Sequence, residues 1–211
     1  YADILPGAYG KSFANPDYPQ ITDGYLVRGM RRAAAFGGLI GVHAENAEVA
    51  AFGSEEMAAH AGAPNSMHDE ARPWWVELEA IERAVLFARN TGARLYICHM
   101  TIPEGAQFIK QAKMDGVPVY AETCPHYLLF DKSIMDERGA FAKCNPPIRS
   151  REQVEKLWNY VFDGTIDTLG SDHGPYTDEE KQKNGNFFLE YSGFGGFDAM
   201  LAGMITEGVH K

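Results

Sequence analysis

Three short apolar runs in this chain each end in a side chain able to bind a metal ion, and that repetition limits the folds open to it. Residues 39–42, LIGV, lead into His43, and residues 95–98, LYIC, lead into His99. A third run, from Ile166, passes through Gly170 and Ser171 to Asp172 and His173, before Gly174 and Pro175 break the chain. Each pattern reads as a buried strand with polar residues at its C-terminal mouth. In parallel α/β proteins that mouth is where ligands and metals gather. Histidine and aspartate are ordinary ligands for zinc or a similar divalent ion.

The segments between these runs follow one rhythm. A helix is expected over 23–36, with Asp23 as its cap and Leu26, Met30, Ala33 and Ala34 as its apolar stripe. A long connection after His43 holds a short helix near 46–60 and delivers His60, His68 and Arg72 beyond the strand end. The clearest helical pattern covers 73–90, where Trp75, Leu78, Ile81, Val85 and Leu86 recur near helical period and Glu79 faces Arg83. Trp74 and Trp75 are expected in the core. Helices over 103–115, with Thr101 as cap, and 151–162, with Ser150 as cap, precede strands at 117–121 and 168–169. An apolar helix follows the glycines near residue 195.

Helix then strand recurs four times, with short turns into each strand and long loops out of it. That asymmetry marks a (β/α)8 barrel, with a doubly wound sheet as the rival. Four parallel strands alone leave two bare edges, which natural sheets protect. The α/β chain therefore reads as strands five to eight of a barrel. Residues 1–22 form an irregular loop after strand four, 23–190 the helix–strand units through strand eight, and 191–211 the following helix.

Composition narrows the function. Hydrophobic residues make up 45% of the 211 and the formal net charge is -10, which argues for a globular fold and against nucleic-acid binding. No apolar run is long enough to span a bilayer. Asp3 and Pro6 interrupt the N-terminus before a signal-peptide core forms. Cys98, Cys124 and Cys144 are odd in number and widely spaced, so they read as reduced, buried thiols of a cytoplasmic enzyme.

A divalent ion lowers the pKa of its bound water and makes hydroxide available near neutrality. Neutral His43 and His99 suit such an ion, and so does the Asp172 carboxylate, which can also carry a proton from the attacking water to a leaving nitrogen. His173 beside Asp172 can donate to a substrate carbonyl. Glu45 and Asn46 are placed to fix the ligands from behind. Asn145, before Pro146 and Pro147, can hydrogen-bond an amide-like ring. Arg149 reads equally as an anion partner or a structural salt bridge. His60 and His68 read as exposed or loop-stabilising, and His126 as either an orienting or a core residue. The glycines of SGFGGFD lack the dinucleotide-loop pattern, and GSDHG lacks that of a serine nucleophile.

Taken in order, GVHAEN, ARP, YICHMT, AETCPHYLLF, KCNPPIRS and LGSDHGPYTDEEK resemble the cyclic amidohydrolases: allantoinases, hydantoinases or dihydropyrimidinases, and dihydroorotases. CPHYL, KCNPPIR and SDHGP lean toward the allantoinase-like members. The resemblance implies a barrel with two metal ions, usually zinc. It implies that His43 and His99 bind one ion, and that Asp172 binds the other and acts as base and then acid. It gives Asn145 and His173 to the substrate, a small cyclic amide or ureide, and makes the complete enzyme a homo-oligomer. It also requires an H-x-H pair and a carboxylated bridging lysine, neither of which these residues provide; Lys11 lies in an irregular loop. A non-catalytic scaffold relative and a mononuclear deaminase-like or phosphotriesterase-like hydrolase are the competing readings. The 211-residue chain alone is expected to be poorly folded and inactive, which an assay of the isolated product with metal present checks.

Overall fold

The computed structural model describes residues 21–210, and the loop expected at the start of the chain, with Lys11, lies through residue 20 outside them. Four strands, β1 (Leu39–Val42), β2 (Arg94–Ile97), β3 (Val119–Thr123) and β4 (Thr168–Leu169), form one sheet in the order β1-β2-β3-β4. Every neighbouring pair is parallel. The order never reverses, so the sheet has no switch point of the kind that defines a doubly wound fold.

Among the described residues ten α-helices accompany the strands: α1 (Asp23–Ala35), α2 (Ala47–Ala58), α3 (His68–Ala71), α4 (Trp74–Thr91) and α5 (Pro103–Met114), then α6 (Pro125–Leu129), α7 (Ser133–Arg138), α8 (Arg151–Phe162), α9 (Asp178–Lys181) and α10 (Phe197–His210). Helices α1, α4, α5 and α8 each lead into a strand. The others lie in the long connections that leave β1, β3 and β4. The expected helix–strand rhythm is therefore present four times. Local chemistry sets the ends. The Asn46 side chain accepts from Val49 N at 3.3 Å to start α2, and Ser150 accepts from Gln153 N at 3.4 Å to start α8. Gly92 ends α4 at a φ of 71°, a conformation that glycine enters without penalty.

Two expected caps are replaced. Thr22 occupies the cap position of α1, and Asp23 sits in its first turn, where a carboxylate complements the helix dipole. Ile102 precedes α5, whose first residue is Pro103; Thr101 turns to a buried partner instead.

The core lies between the sheet and the helices. Ile40, Val42, Leu95, Ile97, Val119 and Ala121 point to the helical side and are buried. The other face carries Gly41, Tyr96, Tyr120 and Glu122, each partly open. Helix α4 buries Val76, Ala80, Ile81, Ala84, Val85 and Ala88. Ile81 and Val85 of the expected stripe are buried, but Trp75 and Leu86 are 47% and 56% exposed and Trp74 is also on the outside, so the tryptophans expected in the core lie outside it. Alanines face the core there because they let α4 approach the sheet closely. The expected buried strand at 168–169 is an edge strand with both residues exposed. On α10, Phe197, Leu201, Ile205 and Val209 form an exposed apolar row at four-residue spacing. No helix among the described residues is long and apolar enough to cross a membrane.

The phase of α4 is testable. Ile81, fully buried, should cost about 2–5 kcal/mol when replaced by alanine, whereas exposed Leu86→Ala should cost about 0.5 kcal/mol or less. Denaturant midpoints of the two variants check the order.

Candidate active site

Register brings the first two strand mouths together. Val42 pairs with Ile97, and the Cys98 N–H donates to the Val42 carbonyl at 3.0 Å, so His43 and Cys98 leave the sheet side by side. Strict pleating would send His99, one residue later, to the face opposite His43. His99 instead takes a φ of 37°, in the left-handed region, at a cost of about 1–2 kcal/mol for a residue with a Cβ. The rings then meet. His43 Nδ1 lies 3.0 Å from His99 Nε2, with ring centroids 4.6 Å apart and the planes near edge-on.

The other nitrogen of His43 is fixed from behind. Nε2–H donates to Glu45 Oε2 at 2.8 Å. Arg72 grips the same carboxylate with two bonds, Nε to Oε1 at 3.0 Å and Nη2 to Oε2 at 2.6 Å. Burial pushes the Glu45 carboxyl up, but the Arg72 charge and the His43 bond overcome it and hold the group well below its ordinary value. Glu45 is therefore ionised, and it sets the His43 tautomer that presents a bare Nδ1 to His99. Asn46, expected to help here, caps α2 and donates to Glu79 at 2.9 Å instead. His99 is buried; burial first, and then His43, lower its pKa to about 4 against the pull of Asp172 and Glu45. It is neutral at neutral pH, and its Nδ1 has no hydrogen-bond partner.

The third mouth is less enclosed. Asp172 is exposed, has a φ of 45°, and acts electrostatically on both His99 and His126. His173 is exposed too. Its Nδ1 accepts from the Gly196 N–H at 3.1 Å, which leaves the proton on Nε2, and its ring lies 4.4 Å from that of Phe197. Asn145 receives His68: the imidazole Nε2 lies 3.0 Å from Asn145 Oδ1 and 3.2 Å from the Cys144 carbonyl. His68 is thus a buried loop residue rather than an exposed one. His60 is exposed and bonds the Glu56 carbonyl at 2.7 Å. His126 is buried between Tyr127 and Phe194, with Nε2 unpartnered.

Behind the mouths runs a charged network centred on Arg149, whose salt-bridge role the sequence offered but whose partners Asp69 and Glu77 it did not. Buried Arg149 donates to Asp69 at 2.9 Å, Glu77 at 3.0 Å, Thr101 Oγ1 at 2.9 Å and the Arg72 carbonyl at 2.7 Å. Burial disfavours its charge, but Glu77 and Asp69 more than offset that and hold it above its ordinary value. Arg149 is therefore a structural ion pair. Glu77 also takes the Thr101 N–H at 2.8 Å and the Thr101 hydroxyl, two residues from His99. Lys143 and Lys181, both buried, cap backbone carbonyls on the connection after β4: Lys143 those of Phe188 and Glu190, Lys181 those of Tyr191 and Gly193. Cys98, Cys124 and Cys144 are free, and burial pushes all three thiols up, which disfavours the reactive thiolate.

The imidazole pair fits a divalent ion. Two nitrogens on one tetrahedral zinc, each at about 2.0–2.1 Å, stand roughly 3.3 Å apart, close to the 3.0 Å found here. Among the described residues no group of three or more His, Cys, Asp or Glu side chains completes a metal cluster. The pair therefore supplies two ligands and not a whole shell.

The chain is similar to known enzymes. It is 35% identical over 195 residues to the allantoinase of Bacillus licheniformis, covering 92% of this chain and 43% of that protein. It is 35% identical over 205 residues to the allantoinase of Enterococcus faecalis, covering 97% and 45%. Among solved structures, a D-hydantoinase superposes with a TM-score of 0.86 at 30% identity, covering 94% of this chain and 44% of that one. The L-hydantoinase (dihydropyrimidinase) of Arthrobacter aurescens gives 0.86 at 34% identity, covering 92% and 43%. No family model matches. The chain spans less than half the length of these relatives, and its fold is part of a (β/α)8 barrel of the amidohydrolase type.

Removing the guanidinium should expose the dependence on Glu45. Arg72→Met leaves a buried carboxylate with one partner and is expected to destabilise by about 3–5 kcal/mol at neutral pH. The sign with pH is fixed by the lowered carboxyl. Its contribution is fully present above the unfolded value of about 4.3 and is lost as pH falls through the lower folded value. Urea titrations from pH 7 to 3 should show the parent and variant converging at the acid end.

Proposed function

Homology points to the cyclic-amidohydrolase superfamily of allantoinases, hydantoinases and dihydropyrimidinases, and from that premise we propose that the complete protein is a metal-dependent hydrolase that opens a cyclic amide or ureide ring. The facing nitrogens of His43 and His99 carry the proposal. They meet at adjacent strand mouths; His99 is neutral at working pH, and His43 is oriented by an ionised carboxylate.

A bound divalent ion supplies hydroxide near neutral pH. His43 Nδ1 and His99 Nε2 would hold one such ion, and the resemblance would give Asp172 to a second, with zinc the metal expected. Asp172 then serves as base, taking the proton of the attacking water, and as acid, returning it to the ring nitrogen as the C–N bond breaks. The products are a carboxylate and a freed amide, amine or ureido nitrogen. Asn145 has its Oδ1 engaged by His68, so its amide N–H groups are free to hold a ring carbonyl. His173, with its proton on Nε2, adds a second donor. Within the superfamily the motifs CPHYL and KCNPPIR favour an allantoin-type ureide as substrate.

Asp172→Asn is expected to lower kcat by about 10²–10⁴-fold. His43→Ala and His99→Ala are expected to lower bound metal as well as activity. Allantoin, hydantoin, dihydrouracil and dihydroorotate assayed side by side with the complete protein assign the ring. Hydrolysis of none of them, with metal bound, would favour the scaffold reading; full activity in His99→Ala would remove the centre altogether.

A further inference from the structure

The ring of His99 reaches His43 only because the His99 backbone is left-handed, and something must hold it there. Strain of that kind persists where surrounding contacts over-determine it. The His99 N–H points at one side chain. It donates to Glu122 Oε1 at 2.9 Å. Glu122 belongs to the neighbouring strand β3, and its own carbonyl accepts the next amide, Met100 N–H, at 2.7 Å. One residue thus receives two successive amides of the turn that follows β2. Its second carboxylate oxygen is also held: Tyr96 donates to Oε2 at 2.7 Å, and the Tyr96 hydroxyl lies 2.6 Å from Thr168 Oγ1.

The carboxylate needs room, and Gly170 provides it. A Cβ built on Gly170 would overlap the Glu122 carboxylate. Gly170 is two residues before Asp172, and its N–H donates to the Thr123 carbonyl at 3.0 Å, so the approach is fixed by the sheet. No conformational demand of its own explains this glycine, which is not among those with positive φ.

We propose that Glu122 is a positioning residue: as a hydrogen-bond acceptor lodged over Gly170, it holds the left-handed backbone of His99 and thereby aims the His99 imidazole at His43. The geometry makes acceptance, not charge, the operative property. A glutamine keeps one oxygen for the His99 N–H. Its NH2 can donate to the Tyr96 oxygen, whose own proton turns to Thr168. An alanine offers nothing. An alanine at 170 should act like the loss of Glu122, because its methyl group takes the carboxylate's place. The consequence for metal rests on the reading of His99 as a metal ligand; the consequence for the backbone does not.

The test is amide hydrogen exchange at His99 in the complete protein, with zinc affinity measured on the same variants. Glu122→Ala and Gly170→Ala should each speed His99 exchange by ~10-fold or more and weaken zinc by ~10–100-fold. Glu122→Gln should stay near the parent on both. Adding Gly170→Ala to Glu122→Ala should cost nothing further, since the space is already vacant. Unchanged His99 exchange in Glu122→Ala overturns the proposal, as does Glu122→Gln falling with Glu122→Ala, or additive losses in the double variant. If exchange responds as expected but the parent binds no zinc, the positioning role stands and the metal reading falls.

Discussion

A left-handed residue at the end of β2 decides where the second imidazole goes. Side chains on a strand alternate faces, and His43 and His99 are offset by one register position across β1 and β2. Regular extension would separate them by the thickness of the sheet. The φ of 37° at His99 undoes the alternation once, at a cost of about 1–2 kcal/mol. Asp172 has a φ of 45° beyond β4. Two of the three proposed site residues therefore sit in a conformation most side chains avoid. Such strain is found where function selects geometry over local comfort.

Strained residues need rigid surroundings, and those come from charges taken out of water in closed groups. Arg72 and Glu45 satisfy each other with two bonds while Glu45 holds His43. Arg149 gathers Asp69 from α3, Glu77 from the first turn of α4 and Thr101 from the turn after β2. Removing one member of such a group leaves a buried charge without its partner, which is costly, so the network behaves as a unit. It ties the long connection after β1 to α4 and to the turn after β2. The two buried lysines do the same for the connection after β4, with carbonyl oxygens in place of carboxylates.

Much of this was legible in the residues. Apolar runs ending in His43, His99 and Asp172 gave the strands, and the helices before them gave the parallel arrangement, though the connection after β2, from Ile97 to Pro103, is short and not the long loop expected. Glu45 was readable as a support because it lies two residues from His43. The misreadings share a cause. Trp75 and Leu86 fit a helical stripe as well as the alanines do, and periodicity cannot tell which of two adjacent rows faces inward. Thr101 and Asp23 have the chemistry of caps, and only tertiary partners, Glu77 for the first and Arg83 for the second, divert them. Glu122 was passed over because it is 23 residues from His99 in sequence, and no local pattern marks a contact across neighbouring strands. His68 and Asn145 are 77 apart and were read separately for the same reason.

The pleat itself keeps chemistry and core from mixing. Along β3, Val119, Ala121 and Thr123 are buried under the helices, while Tyr120 and Glu122 lie on the other face. On β2, Leu95 and Ile97 are buried, and Tyr96 joins Glu122 on the polar side. A slip of one residue would put Glu122 of β3 or Tyr96 of β2 in the apolar layer and leave an alanine or isoleucine at the site. The burial of the helical face is thus what fixes the register, and the register is what lays Glu122 beside the His99 amide and over Gly170. Polar residues at the mouths contribute little to folding on their own account. They are aligned by hydrophobic residues one position away, and the two left-handed residues then break that alignment only after the last paired strand residue, where the core no longer depends on it.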